Sequence, residues 1–299
     1  MSRVARSVRY RLRRCQVAVW ALALRALSRY GRKRLVSPAG PVVSLTSHGS
    51  RLRRCHITIE SIGRGDSRPS RLLLWIDDPE VLESLPPALI RLQRRGLEVR
   101  LTSNYGPHTK YYPFVSSTEN LDTPLVTADD DVIYPPRWLT DLVEASQRMP
   151  ASVIAYRARR IVVDLDGSLA PYDAWPFSAE PGPSFLNFGT GHSGVLYPAA
   201  MQRALRARGE GFVPVCPRAD DVWLHNTALR EGVRVSLVRR RSVAFDTLSG
   251  TQRGALKHSN VAAGANDEQI RRTYSDADLG RLEAAAQEEE AAAQEGPAS

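Results

Sequence analysis

The chain has 299 residues, of which 42% are hydrophobic, so it can bury one sizeable core or one core with a small appendage. The cysteines Cys15, Cys55 and Cys216 are odd in number and far apart, and this pattern indicates neither a disulfide framework nor a structural zinc site. The formal net charge of +9 would suggest a nucleic-acid partner if it were spread over the whole chain.

The positive charge is concentrated at the N-terminus. No acidic residue precedes Glu60, and residues 1–59 carry 14 Arg and Lys. The other 27 basic residues stand against all 32 acidic residues, so the rest of the chain has a net charge near −5. A broad phosphate-binding face is therefore not indicated, and no aromatic platform accompanies the arginines. We predict no nucleic-acid partner.

Residues 1–36 are predicted to form a basic amphipathic helix, because apolar residues recur every three or four positions. The uncharged stretch 15–24 is about half of the roughly 20 residues that a membrane span requires. We expect the helix to lie on the inner, cytoplasmic face of a membrane as a peripheral contact, with Trp20 and Leu24 dipping inward. Packing on the body or on a partner is the alternative. The apolar stripe consists of Val4, Val8, Leu12, Cys15, Val19 and Leu22.

Residues 41–274 are predicted to form the main domain. Short apolar runs that suit buried strands alternate with helical segments such as 81–95, which favours an α/β fold with a mixed, mainly parallel sheet and helices on both faces. A helix over 221–230 is predicted to end at Gly232. Residues 275–299 are rich in Ala and Glu and are predicted to form a flexible tail that cannot pack. The predicted strands are 42–46, 72–76, 97–101, 125–127, 154–163, 168–172 and 233–238.

Three adjacent carboxylates, Asp129, Asp130 and Asp131, follow a predicted buried strand. Like charges this close repel each other and destabilise the fold unless a cation lies nearby. Ligands of parallel sheets bind at the carboxyl ends of strands, and hard oxygen ligands favour Mg²⁺ or Mn²⁺ together with phosphate oxygens. A solvated acidic turn is the alternative.

A second acidic pair, Asp220 and Asp221, lies at a predicted helix start. Carboxylates at this position commonly act as helix caps. One of them would also supply a general base if an acceptor hydroxyl attacks a sugar carbon.

The order of these motifs along the chain resembles the family 2 glycosyltransferases and their relatives. The matching features cover about residues 41–238. They are the acidic triplet, the later acidic pair, the strand Val43-Ser44-Leu45-Thr46-Ser47 followed by Arg51, the segment Lys110-Tyr111-Tyr112-Pro113, and the glycine-rich loop 189–194 that precedes Leu196-Tyr197-Pro198.

The resemblance implies a GT-A fold and an inverting glycosyltransferase of the hexosyltransferase class. Its partners would be a nucleotide-sugar donor and a glycan or lipid-linked acceptor of the cell envelope. The resemblance implies that Asp129 and Asp131 ligate Mg²⁺ or Mn²⁺. It also implies donor contacts for Ser44, Asp77, Lys110, Asp129 and Asp130. Asp221 is implied as the catalytic base, with Asp220 as the other candidate.

Two rival hypotheses remain. The stretch Asp164-Leu165-Asp166-Gly167 imitates the nucleophile motif of haloacid dehalogenase phosphatases, but Asp-Gly between two extended runs also predicts a hairpin turn. The other rival is an inactive nucleotide-sugar-binding or membrane-binding module, for which Asp221 would be dispensable. His192, Tyr172 and Trp175 are candidate acceptor contacts, although for each residue alone a buried aromatic core is the better explanation.

Overall fold

A computed structural model describes residues 3–248 and 264–295, which fall into two compact units. Within these ranges the first unit comprises residues 3–102, 129–140 and 245–248, and the second comprises residues 103–128, 141–244 and 264–295.

The first unit contains three parallel strands in the order β3-β2-β1. Strands β1 and β2 form from apolar runs that are almost completely buried, as expected for a sheet covered by helices, whereas β3 is buried at Leu97 and exposed at Leu101. The single helix predicted over 81–95 is wrong, since two short helices stand in its place. Pro86 and Pro87 lack the N–H donors that a continuous helix needs. The elements are α1 Arg3–Tyr30, β1 Val42–Thr46, α2 Cys55–Gly63, β2 Arg71–Ile76, α3 Pro79–Glu83, α4 Pro87–Gln93 and β3 Leu97–Leu101.

The second unit contains strands in the order β4-β8-β5-β9, in which β8 is antiparallel to both neighbours and β5 is parallel to β9. Strands β6 and β7 form a separate antiparallel pair. The predicted α/β class with a mixed, mainly parallel sheet is confirmed. The elements are β4 Leu125–Thr127, α5 Tyr112–Ser117, α6 Trp138–Arg148, β5 Val153–Ala155, β6 Ala158–Arg160, β7 Asn187–Gly189, β8 Val195–Tyr197, α7 Ala199–Arg208, α8 Asp220–Arg230, β9 Val235–Leu237, α9 Ala265–Thr273 and α10 Asp276–Glu295.

The Asp166-Gly167 turn closes a small hairpin, as one of the two hypotheses for this segment predicted. Val163 and Leu169 form an antiparallel bridge, and Gly167 has a φ of 81°. Leu165 is fully exposed. This geometry contradicts the phosphatase hypothesis, which requires the motif on a buried first strand.

The C-terminal segment packs more closely than its composition predicted. Within α10, Leu282 is 0% exposed and Ala285 is 6% exposed. The carboxylate of Glu289 accepts hydrogen bonds from Ser184 and Arg160. The expectation that residues 275–299 cannot pack is therefore corrected for 276–295, where one buried leucine and ionic contacts replace a broad apolar face.

Helix α1 has one face against the first unit and one face in solvent. Val17, Ala21 and Leu24 pack on a buried cluster of Ile57, Ile133 and Leu248. Leu24 therefore contacts the protein, which corrects the expectation that it dips into a membrane. Three residues of the predicted stripe, Leu12, Val19 and Leu22, are 61–62% exposed, and Trp20 is 54% exposed.

Across the described ranges, no helix combines the length with the apolar character that crossing a bilayer demands.

A buried ion pair joins the helices of the first unit. The guanidinium of Arg95 donates from Nη1 and Nη2 to the two carboxylate oxygens of Glu60 at 2.7 and 2.9 Å. Its Nε also donates to the carbonyl of Lys33 at 2.7 Å. Glu60 is 0% exposed, so its charge depends on Arg95 for compensation.

We therefore expect Arg95→Met to lower the free energy of unfolding by about 3–5 kcal/mol, because it leaves the Glu60 carboxylate buried without a partner. Urea denaturation followed by circular dichroism measures this loss. The matched control is Arg94→Met at the exposed neighbouring position, which should change stability by no more than about 0.5 kcal/mol. Equal effects of the two variants would contradict the assignment.

Candidate active site

The acidic triplet lies in the first unit, where α2 holds its backbone. Thr58 Oγ1 donates to the carbonyl of Asp130 at 3.0 Å, and the backbone N–H of Tyr134 donates to Ser61 Oγ at 3.1 Å. The Tyr134 hydroxyl in turn accepts from the backbone N–H of Asp129 at 2.9 Å. The turn is therefore a fixed element of the unit, whereas a solvated surface turn would have few such bonds.

Arg51 supplies the cation that three neighbouring carboxylates require. Its guanidinium binds Asp130 directly and lies 3.3 Å from Asp131, measured from Nη2 to Oδ2. Burial disfavours the charged form of Arg51, but Asp130 and Asp131 outweigh burial and raise its pKa. In the sequence, Arg51 was only part of the resemblance, and its pairing with the acidic triplet was not predicted. Its position shortly after the carboxyl end of β1 was the available signal.

The three carboxylates differ in exposure. Asp130 and Asp131 are 4% and 6% exposed, while Asp129 is half-buried. Burial raises the pKa of the Asp130 carboxyl, and the charge of Arg51 opposes this effect. Asp130 is thus mainly a structural partner of Arg51. Asp129 and Asp131 are better candidates for contact with a donor.

The chemistry of this cluster fits a divalent cation. It supplies three adjacent carboxylates as hard oxygen ligands, and Asp130 Oδ2 is buried without a hydrogen-bond partner among the described residues. No set of three His, Cys, Asp or Glu side chains in residues 3–248 and 264–295 is arranged around a common point. Mg²⁺ commonly binds through one or two carboxylates plus substrate phosphates, so it does not require such a set. A lone histidine, His258, is a weaker candidate ligand in the sequence and lies outside the described residues.

The two other donor candidates of the first unit have different surroundings. Ser44 is 0% exposed and its hydroxyl accepts from Trp75 Nε1 at 2.9 Å. The structure therefore corrects the Ser44 assignment, since this hydroxyl joins β1 to β2 inside the fold. Asp77 is half-buried at the carboxyl end of β2, where the expected contact with a donor remains a prediction.

In the second unit, Lys110, Asp220 and Asp221 come together around Gly191. Lys110 Nζ lies 3.1 Å from Asp220 Oδ2, and the backbone N–H of Gly191 donates to Asp221 Oδ1 at 2.8 Å. A Cβ at position 191 would lie 2.9 Å from Lys110 Nζ and 3.2 Å from Asp221 Oδ1. A side chain at this position would therefore displace Lys110 from its place beside the acidic pair. Lys110, predicted to neutralise a phosphate, lies beside the acidic pair.

His108 supports this group and was missed in the sequence analysis. Its ring stacks on Phe212 at 3.9 Å between centroids. The Nε2 atom contacts the carbonyl of Cys216 at 2.8 Å, and Nδ1 contacts the Tyr111 hydroxyl at 2.8 Å. Burial lowers the pKa of His108 to about 4, so the neutral ring donates from Nε2 and accepts at Nδ1. Nothing in the local sequence indicated this link to the segment before Asp220.

Two of the aromatic residues considered for acceptor binding belong to the core. Trp175 is 1% exposed and donates from Nε1 to the carbonyl of Ala170 at 2.8 Å. Tyr172 is 9% exposed. The core explanation is therefore confirmed for Trp175, whereas half-buried His192 remains a candidate acceptor contact.

No protein-family model and no curated protein sequence matches this chain. Among solved structures, the chain is similar to the mannosyltransferase PcManGT from Pyrobaculum calidifontis in complex with GDP-Man and Mn²⁺, at 13% identity and a TM-score of 0.49, over 93% of this chain and 87% of that chain. It is also similar to residues 1–349 of S. aureus TarS, at 12% identity and a TM-score of 0.46, over 81% and 69% of the two chains.

A third similar structure is the 4-diphosphocytidyl-2C-methyl-D-erythritol synthase from Anaerococcus prevotii, at 12% identity and a TM-score of 0.45, over 76% of this chain and 97% of that chain. Every one of these TM-scores is below 0.5.

We expect Arg51→Met to lower the free energy of unfolding by about 3 kcal/mol, because it leaves Asp130 buried and unpaired. In the double variant with Asp130→Asn, the neutral amide removes that penalty, so the two effects should be non-additive by about 1–3 kcal/mol. Chemical denaturation in the presence of EDTA measures the cycle without a substituting cation. Arg53→Met, at an exposed position two residues away, is the control. Additive effects would contradict the pairing.

Proposed function

We propose that the chain is a metal-dependent glycosyltransferase that moves a sugar from a nucleotide-sugar donor to an acceptor hydroxyl with inversion. The observation that carries this proposal is the fixed acidic turn, in which three adjacent carboxylates follow a buried strand and Arg51 holds Asp130 in place. A divalent cation with a donor diphosphate matches these oxygen ligands. The resemblance of the motif order supports the same reaction.

The first unit would bind the donor. Asp129 and Asp131 would hold Mg²⁺ or Mn²⁺ and, through it, the diphosphate, and Asp77 would face the base or ribose. When bound, the cation would supply stabilisation of the negative charge that develops on the leaving diphosphate. Arg51 would keep the Asp130 carboxylate in place and so fix the direction of its two neighbours.

The second unit would supply the base. Asp220 is paired with Lys110, while Asp221 is half-buried and oriented by the Gly191 N–H, so we assign the base to Asp221. Asp221 would take the proton of the acceptor hydroxyl while the oxygen of that hydroxyl forms a bond to the anomeric carbon. The bond from that carbon to the diphosphate oxygen breaks, and the nucleoside diphosphate leaves with the electron pair. A single displacement of this kind inverts the anomeric configuration.

Nucleoside diphosphate release from UDP-, GDP- and dTDP-sugars, measured with Mn²⁺, Mg²⁺ or EDTA, tests the proposal. We expect release from one donor that requires metal and falls about a hundredfold in Asp131→Ala. Asp221→Asn should lower transfer to an acceptor by about 10²–10⁴-fold, the usual contribution of a general base. Asp122→Asn, at an exposed position of the second unit, is the matched control.

Two outcomes would count against the transferase. If no donor is hydrolysed and none binds in the presence of metal, the reaction assignment is wrong. If a donor binds but is neither hydrolysed nor transferred, and Asp221→Asn binds it as the wild type does, the inactive-module hypothesis is the better account. The exposed hairpin at Asp166-Gly167 speaks against the phosphatase alternative.

We also infer that the outer face of α1 contacts an anionic membrane surface, which would place a lipid-linked acceptor within the reach of an enzyme at the inner face of the membrane. Leu12, Val19 and Leu22 form an exposed stripe on this helix, with Trp20 beside it. The first 59 residues hold 14 basic and no acidic residues. An apolar stripe flanked by arginines is the composition that binds anionic interfaces.

We expect the protein to bind phosphatidylglycerol vesicles and not phosphatidylcholine vesicles, because each Arg near an anionic surface contributes about 1 kcal/mol. Leu22→Asp should weaken binding about tenfold or more and remove the blue shift of Trp20 fluorescence. The control is Val213→Asp, since Val213 is similarly exposed at 50% but lies in the second unit. Binding that is insensitive to Leu22→Asp would contradict this contact.

A further inference from the structure

Three extended segments in the second unit place two arginines and a phenylalanine on one surface. Strand β6 pairs with β7 on one side, with Arg159 opposite Phe188. On its other side β6 pairs with the segment 176–178, with Arg159 opposite Phe177. Because side chains alternate along a strand and directly opposite residues share a face, Arg157, Arg159 and Phe177 project to the same side. We call these three residues the arginine face.

Arg159 is held rigidly in this face. Its Nη1 donates to the carbonyls of Trp175 and Tyr172 at 2.6 and 3.4 Å. Its guanidinium carbon lies 4.7 Å from the centroid of Tyr172 and 5.2 Å from that of Phe177. In the described part of the chain, no carboxylate forms an ion pair with Arg159. Most buried or half-buried cations are compensated by a carboxylate, so this charge suits an external anion.

The Phe177 ring contacts the guanidinium groups of both arginines and is itself exposed. The guanidinium carbon of Arg157 lies 4.6 Å from the Phe177 centroid. The Phe177 side chain is 54% exposed, which is unusual for a ring with two cation contacts. The arginine face therefore offers solvent a ring edge or face between two planar donors. Aromatic rings bind the apolar faces of sugars, and guanidinium groups bind carboxylates and phosphates through paired hydrogen bonds.

The arginine face lies next to Asp221. The backbone N–H of Thr190 donates to the carbonyl of Arg157 at 2.9 Å, and the next N–H, of Gly191, donates to Asp221 Oδ1. The pKa of Tyr172 responds to the charge of Asp221 and to those of the two arginines. Burial raises the pKa of Tyr172 to about 12, Asp221 adds to the increase, and Arg159 and Arg157 oppose it. The acidic residue and the two cations are therefore neighbours within one unit.

We propose that the arginine face binds an acceptor that carries a carboxylate or phosphate group close to the hydroxyl that reacts. This inference rests on the proposed function, in which Asp221 removes the proton of that hydroxyl. The anion would bind Arg159 and Arg157, and Phe177 would contact the sugar or polyol carbon skeleton. The shared chemistry is an anionic polyol or saccharide. A uronic acid and a phosphorylated polyol are its two sources.

The test uses the full chain and the donor found by nucleoside diphosphate release. Two matched acceptor pairs distinguish the sources, methyl glucuronide against methyl glucoside and glycerol phosphate against glycerol. Saturation-transfer NMR measures binding of the same compounds independently of turnover. We expect one anionic member to have a KM about tenfold lower than its neutral partner, as one charge-assisted contact provides.

Arg159→Gln and Arg157→Gln should raise the KM for that anionic member about tenfold and weaken its NMR signal, with a much smaller effect on the neutral member. Phe177→Ala, at an exposed position that does not endanger folding, should weaken both members of the pair. Arg203→Gln, which removes an exposed arginine paired with Asp122, is the control and should leave both constants as in the wild type.

Two results would overturn the inference while leaving the transferase intact. Donor hydrolysis with no preference for either anionic acceptor is the first. The second is an equal loss for neutral and anionic members in Arg159→Gln, which would assign Arg159 a purely structural role. Failure of the proposed function itself is recognised separately, because no donor would then be hydrolysed. Even in that case, an NMR binding signal of the anionic compounds that is lost in Arg159→Gln supports anion binding by the arginine face.

Discussion

The constraint on which the first unit depends is the neutralisation of three adjacent, largely buried carboxylates. Arg51 binds the most buried of them, Asp130, and the backbone of the turn is fixed by Thr58 and Ser61 of α2. The order strand, short 3-10 turn and α2 places both Arg51 and the two hydroxyl groups where the acidic turn needs them. Three carboxylates on a fixed turn are the oxygen ligands that suit a divalent cation with a diphosphate.

The second unit is organised around the orientation of one acidic pair. Lys110 compensates Asp220, the Gly191 N–H orients Asp221, and His108 holds the preceding segment through the Cys216 carbonyl. Burial keeps this ring neutral, so that Nδ1 accepts from the Tyr111 hydroxyl while Nε2 donates to that carbonyl. A rigidly placed carboxylate with a half-buried surface is the arrangement that a general base requires. The arginine face next to it would add selectivity for the acceptor.

The sequence allowed good prediction where one physical effect dominates. Strands β1, β3 and β4 match the predicted runs to the residue, because an apolar segment bounded by turn residues has few alternatives in a buried sheet. Helix α8 and its Gly232 cap were predicted for a similar reason, since glycine at φ 69° ends a helix without strain. The acidic triplet was identified as a candidate site from charge repulsion together with its position after a predicted strand.

Other features depend on contacts between distant residues, which a single sequence does not reveal. Ser44 faces Trp75 rather than a ligand because of the register between β1 and β2. Helix α10 packs through one leucine and through Glu289, a contact that its composition did not predict. The roles of Arg51 and His108 likewise follow from tertiary contacts.

In the proposed function, the acidic turn binds a metal together with a nucleoside diphosphate. Electron paramagnetic resonance of Mn²⁺, titrated with the protein in the presence and absence of UDP and GDP, tests it most directly. The account predicts weak Mn²⁺ binding alone, much tighter binding with one nucleotide, and loss of this synergy in Asp131→Asn. Mn²⁺ binding that no nucleotide enhances, or that survives Asp131→Asn, would contradict it.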